Sequence, residues 1–127
     1  MFDEFQIGKK VWAFSAGKIP VESNGKEPEF LSNDRISVLN VTDSDAEIQI
    51  TVLYADDQQG VTYKVKVDAK RVRKIRFNDL IDPKAMPLDK EYGALIKSDV
   101  PVVIQFLRQD TGRVGKKGFI VVPFFED

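Results

Sequence analysis

The chain has 127 residues and a mass of 14.4 kDa. This size predicts a single domain, residues 1–127, that can bury a core without disulfides or metal. Its net charge of −1 provides no overall field to attract nucleic acid or anionic lipid. Cysteine and histidine are both absent, which excludes thiolate chemistry, disulfides, a Ser-His-Asp triad and an imidazole base. We therefore expect no enzyme, no cofactor and no metal site.

The amino terminus does not resemble a secretory signal. Asp3 and Glu4 lie where a signal peptide carries positive charge, and no apolar segment follows them. No run approaches the ~18 apolar residues that a membrane-spanning helix needs. These features predict a cytoplasmic protein.

The first half of the chain is dominated by alternation with a period of two, which indicates strands. "KKVWAFSA" (9–16) and "RISVLNV" (35–41) are the first two predicted strands. "AEIQITVLYA" (46–55) and "VTYKVKVD" (61–68) alternate apolar and polar residues around the turn sequence "YADDQQG". Residues 46–67 are therefore predicted to form a β-hairpin.

The next predicted strand, "RVRKIRF" (71–77), interrupts this alternation. Its apolar residues Val72 and Ile75 are three positions apart, so we predict a β-bulge near Arg73–Lys74 that resets the phase. Residues 88–97 are equally compatible with a short helix and with a strand that begins near Tyr92.

Two apolar strands complete the prediction. "VPVVIQFLRQ" (100–109) has Pro101 at its start, and "GFIVVPFF" (118–125) contains Pro123, which indicates an edge or a bulge. About eight short strands separated by turns predict an all-β, antiparallel β-sandwich. The two segments carry more apolar surface than such a sandwich covers, which predicts a homo-oligomer.

A basic cluster provides one functional hypothesis. Five cations occur within seven residues: Lys70, Arg71, Arg73, Lys74 and Arg76. They could contact the phosphates of a nucleic acid, as in a transcriptional regulator. Alternation would, however, divide them between two sheet faces, and no aromatic residue interleaves them to stack on bases. We regard pairing with acidic neighbours as the better interpretation.

The polar stretch "RFNDLIDPKAMPLDKEYG" (76–93) provides a second hypothesis. Asn78 and Asp79 suit a turn, because their side chains hydrogen-bond nearby backbone. Together with Arg76 they could equally bind a polyhydroxylated ligand through guanidinium, amide and carboxylate groups. Arg108 and Asp110, at the end of a predicted strand, would complete a polar mouth.

Two further residues are candidates for a ligand site. Trp12 is the only tryptophan, and burial in a strand is its default, although it could stack on a sugar ring at the mouth of a sandwich. Glu29 lies in the long polar segment 16–30, which is rich in glycine and proline. A carboxylate pair formed by Glu29 and Asp79 would make an enzyme acting on sugars, the least favoured alternative.

Four stretches of the sequence together carry a family resemblance. They are "VWAFSAGKIP" (11–20), "GKEPEFLSNDRISVLNVTDSDAEIQITVLYAD" (25–56), "RFNDLIDPKAMP" (76–87) and "VPVVIQFLRQD" (100–110). The combination of "RFNDL", a pair of prolines and then "VPVVIQ" is specific. In this order, over most of residues 11–110, the stretches resemble the sensory rhodopsin transducer family, a group of soluble signalling proteins.

The resemblance implies a small β-sandwich that assembles as a homotetramer and has no enzymatic activity. It implies a soluble signalling partner for a membrane receptor, a rhodopsin in some members. It also implies recognition of small sugar-like ligands in the wider family, and DNA binding in one branch.

Overall fold

The computed structural model describes residues 7–19, 33–110, 117–121 and 123–126. This part of the chain contains eight strands, a single turn of 3₁₀ helix at Phe77–Asp79, and no α-helix. The all-β, antiparallel prediction is confirmed. The strands are β1 (Lys9–Gly17), β2 (Asn33–Asn40), β3 (Ala46–Tyr54), β4 (Val61–Val67), β5 (Arg71–Arg76), β6 (Tyr92–Asp110), β7 (Lys117–Val121) and β8 (Phe124–Glu126).

One long strand, β6, organises the fold. It has 19 residues, and its first half pairs with β1 and β3 while its second half pairs with β2 and β7. The first part of the sheet has the order β4-β3-β6-β1-β8, and the second part has the order β5-β2-β6-β7. The prediction that every strand is short is therefore wrong for β6.

The helical interpretation of residues 88–97 is also wrong, because a strand begins at Tyr92 and continues to Asp110. Pro101 lies inside this strand rather than at its start. Along β6, the pairing with β3 ends at Ser98 and the pairing with β2 begins at Val103, and Pro101 lies between these two residues. A missing backbone N–H is tolerated there, since the strand is exchanging one set of partners for another.

The predicted hairpin at 46–67 is confirmed. Strands β3 and β4 pair in register from Ala46–Val67 to Val52–Val61. Ile48, Ile50 and Val52 are buried on one face, and the hydroxyls of Thr51 and Thr62 lie 3.0 Å apart on the other. The period of two in the sequence is thus the period of burial.

The predicted bulge near Arg73–Lys74 is absent. Strands β2 and β5 pair without interruption from Asn40–Arg71 to Arg35–Arg76. Val72 is 59% exposed on the outer face and Ile75 is buried in the core. The irregular apolar spacing thus reflects one valine on the outer face of a regular strand.

The final predicted strand, 118–125, is divided in two. Strand β7 pairs with the second half of β6, whereas β8 pairs with β1. Pro123 lies between the two strands, as its missing N–H favours.

The two parts of the sheet enclose one apolar core. The ring of Phe14 on β1 stacks on Phe106 of β6, with centroids 4.3 Å apart. Tyr92 packs over Gly17, where a Cβ atom would lie 2.3 Å from the tyrosine ring. A glycine is needed at this crossing because any side chain would overlap the ring.

Candidate functional site

The stretch at 76–79 forms a sharp corner at the end of β5. Phe77 is fully buried, and its ring contacts Phe14 and Tyr92 with centroids 5.7 and 5.5 Å away. The backbone N–H of Leu80 donates to the carbonyl of Phe77 (3.1 Å) and closes the 3₁₀ turn. The buried ring fixes the corner, so that the polar residues on either side of Phe77 are held near the surface.

Arg76 and Asp79 form the charged part of this corner. Nε of Arg76 lies 3.6 Å from Oδ2 of Asp79, and their side chains are 20% and 69% exposed. Asn78 lies between them in sequence, and its side chain is half-buried. An ion pair this exposed contributes little to stability.

A second arginine, Arg35, lies beside this pair and was not among the predicted site residues. Arg35 on β2 is the direct cross-strand partner of Arg76, and both point away from the core. Nε of Arg35 is shielded from solvent and has no hydrogen-bond acceptor among the described residues. We refer to Arg35, Arg76, Asn78 and Asp79 as the arginine corner.

The connection that follows the corner is anchored to the body of the protein. The Tyr63 hydroxyl donates to the carbonyl of Lys84, and Met86 is buried. The backbone N–H of Asp89 donates to the carbonyl of Ile19 (2.7 Å). These contacts hold the proline-containing segment, which connects β5 to β6, against the rest of the protein.

Arg108 lies on the opposite side of the sheet, in a buried polar network. Its Nε donates to Oδ1 of Asp34 (2.7 Å), and its Nη2 donates to Oδ2 of Asp34 (3.2 Å) and to the carbonyl of Ala16 (2.8 Å). Asp34 is completely buried. It also accepts from the Tyr92 hydroxyl and from the backbone N–H of Lys18, both at 2.8 Å.

This network perturbs one tyrosine strongly. Burial, followed by the nearby carboxylate of Asp34, raises the pKa of Tyr92 far above its ordinary value. Asp34 was not predicted, although a period of two places it on the same face as Ile36 and Val38. A carboxylate at an apolar position of a strand is the signal that could have identified it.

The other predicted ligand residues are not gathered at the corner. Trp12 is buried in β1, and its indole N–H donates to the carbonyl of Lys9 (3.0 Å). The backbone of Asp110 pairs with Lys117 at the end of β6. Glu29 and most of its long loop lie outside the described residues.

The basic cluster is divided between two faces, as alternation indicated. Lys74 points outward with Arg76, whereas Arg71 and Arg73 lie on the other face of β5. Arg73 donates to the carbonyl of Lys66 (2.7 Å), and Lys70 pairs with Asp43 (2.9 Å). These cations do not form a continuous stripe.

Elsewhere on the described surface, an open groove of about 420 Å³ crosses the outer face of β3, β4 and β6. Its charges are mixed, since both lysines (Lys64 and Lys97) and carboxylates (Glu47 and Asp99) line it, and it contains none of the predicted ligand residues. Within residues 7–19, 33–110, 117–121 and 123–126, no group of three or more acidic side chains is arranged to hold a metal. The same residues include no helix long and apolar enough to cross a membrane.

A family model, that of the Anabaena sensory rhodopsin transducer, matches residues 7–124. The chain belongs to this family. The transducer family match confirms the resemblance inferred from the motifs and extends it through β7 to Phe124, the first residue of β8. It includes every residue of the arginine corner, together with Asp34 and Arg108.

Two solved structures are also similar to this chain. The Anabaena sensory rhodopsin transducer is 39% identical, with a TM-score of 0.70 over 80% of this chain and 96% of that chain. A crystal structure of Thermotoga maritima 1070 is 29% identical, with a TM-score of 0.79 over 94% of this chain and 96% of that chain. No curated protein matches the sequence.

Proposed function

We propose that this protein is a non-enzymatic signalling adaptor of the cytoplasm that works as a homo-oligomer. The observation that carries the proposal is the match to the transducer family along nearly the whole chain. The partner of such an adaptor would be a membrane receptor or a small ligand. Catalysis through Glu29 or Asp79 is not favoured, since Asp79 is exposed and lies beside an arginine.

The arginine corner is the proposed recognition site. Its backbone is fixed by the buried ring of Phe77, so the polar groups of Arg76, Asn78 and Asp79 are positioned before a ligand arrives. Such preorganisation lowers the entropic cost of binding. Arg108 would support the fold rather than contact a ligand, because Asp34 occupies its guanidinium.

A substitution at Asn78 separates recognition from structure. Asn78→Ala should lower the affinity for a co-purifying small molecule, or for the receptor, while the melting temperature stays within about 2 °C of the wild type. Asn78 is half-buried and lies outside the apolar core, and substitutions that leave the core intact usually alter stability by less than about 0.5 kcal/mol. Unchanged binding with a lowered melting temperature would mean that the corner is only a structural cap.

Self-association is supported by an exposed apolar row on the outer face of the second part of the sheet. Leu39 pairs with Val72 on one side and with Val103 on the other, so the three side chains lie next to one another. Leu39 and Val72 are exposed, and Val103 is half-buried. A second copy covering this row would remove apolar surface from water.

Light scattering of two matched variants tests this surface. Val72→Lys should reduce the mass of the particle towards that of one chain, because a charge would be buried at the contact. Leu53→Lys is the control, since Leu53 is similarly exposed but lies on the first part of the sheet. Equal effects of the two variants, or none from Val72→Lys, would exclude the row as the contact.

A further inference from the structure

The outer face of the second part of the sheet carries an unusual concentration of positive charge. Its outward positions hold Arg35, Lys74 and Arg76, and no outward position of β2, β5 or the described second half of β6 holds an acidic residue. Asp79, which the 3₁₀ turn brings to Arg76, is the carboxylate paired with this group. Among the described residues of this face, three cations and one carboxylate give a balance of two positive charges.

Arg35 and Arg76 are directly opposed in the register of β2 and β5. Directly opposed residues on antiparallel strands have Cβ atoms about 4.5–5.5 Å apart, and like charges in this arrangement are destabilising. Arg35 has a shielded Nε atom without an acceptor among the described residues, and a shielded donor without an acceptor destabilises the folded protein further. An arrangement that costs stability in the empty protein is typical of a site built for a ligand.

We propose that Arg35 and Arg76 together bind the phosphate group of a small phosphorylated molecule. Guanidinium groups present parallel N–H donors that match the oxygens of phosphate, and the pair could hold one group from two sides. A phosphate monoester carries a charge of about −1.5 to −2, which is opposite to the positive balance of the described residues at this face. Lys74 lies two residues along β5 and adds to the attraction without forming part of the fork.

This inference rests on the proposed recognition role of the corner and specifies its ligand class. The phosphate would bind to Arg35 and Arg76, while Asn78 and Asp79 would contact hydroxyl groups on the rest of the molecule. The phosphate site is four residues along β2 from Leu39, about 13 Å in an extended strand. The ligand would therefore lie near the edge of a contact between copies that is centred on the apolar row.

Calorimetric titration of the purified protein in phosphate-free buffer tests the inference. The probes are glucose 6-phosphate, inorganic phosphate and glucose. The wild type should bind both phosphate compounds, and Arg35→Gln should weaken that binding at least tenfold. Arg71→Gln is the matched control, because it removes the same charge from the same strand pair on the other face, and it should change the affinity less than twofold.

The outcomes separate this inference from the proposed function. Binding of glucose without preference for its phosphate overturns the phosphate site and leaves the recognition role in place. Equal losses in Arg35→Gln and Arg71→Gln mean a general charge effect, and they overturn the inference. If no probe binds, both the phosphate site and sugar recognition at the corner are rejected.

The Arg35 variant is not expected to unfold. Removing Arg35 relieves a like-charge contact, so the melting temperature of Arg35→Gln without ligand should equal or exceed that of the wild type. Arg35→Lys provides a second variant that keeps the charge and loses the planar fork. Wild-type affinity in a folded Arg35→Lys protein would contradict recognition by paired guanidinium groups.

Discussion

Removing the arginine that neutralises Asp34 should destabilise the protein severely. Asp34 is completely buried, and two of its hydrogen bonds, at 2.7 and 3.2 Å, come from Arg108. Arg108→Met would keep most of the volume and leave the carboxylate uncompensated. Removing one partner of a buried ion pair costs about 3–5 kcal/mol. For a chain of this length that corresponds to a fall in melting temperature of roughly 12–20 °C.

Thermal unfolding followed by circular dichroism, at one fixed protein concentration, measures this loss. Lys66→Met is the control, because Lys66 pairs with Asp45 and Asp68 at 3.8 and 3.6 Å where all three side chains are at least half exposed. That variant should lose less than about 1 kcal/mol. If the two variants melt within 3 °C of each other, the account of Asp34 as a buried charge held by Arg108 is wrong.

Two further predictions concern Tyr92. Because its pKa is raised in the folded state, the stabilising effect is complete below the unfolded value of about 10 and is lost as the pH rises above it. Above that pH, this group should make the free energy of unfolding fall by up to about 1.4 kcal/mol per pH unit. Urea titrations between pH 9 and 11 should therefore give a shallower fall for Tyr92→Phe than for the wild type. Equal slopes in the two proteins would contradict the prediction. Gly17→Ala should cost about 1–3 kcal/mol, because the new methyl group would overlap the Tyr92 ring, and an unchanged urea midpoint would show that the ring can move aside.

The parts of the fold that could be predicted are those encoded locally. Alternation in 46–67 identified the hairpin, since each residue's burial follows its position in the strand. The length of β6 could not be predicted in this way. Gly93 and Pro101 disfavour regular strands, and their tolerance depends on neighbouring strands that are far away in sequence.

The site was predicted only in part, for the same reason. The motif at 76–79 identified the corner. Arg35 joins the corner only because the register of β2 with β5 places it opposite Arg76, which is 41 positions away in the sequence. The pairing of Asp34 with Arg108 spans 74 residues. Local sequence shows which residues are polar, whereas the sheet register decides which of them meet.

Native mass spectrometry of the gently purified protein tests the central claim most directly, because it reports subunit number and bound small molecules together. The account predicts a particle of four chains of 14.4 kDa each, with a small molecule that is retained by the wild type and lost from Asn78→Ala. A bare single chain at micromolar concentration, with no adduct in either protein, would contradict an adaptor that assembles and binds a ligand at the arginine corner.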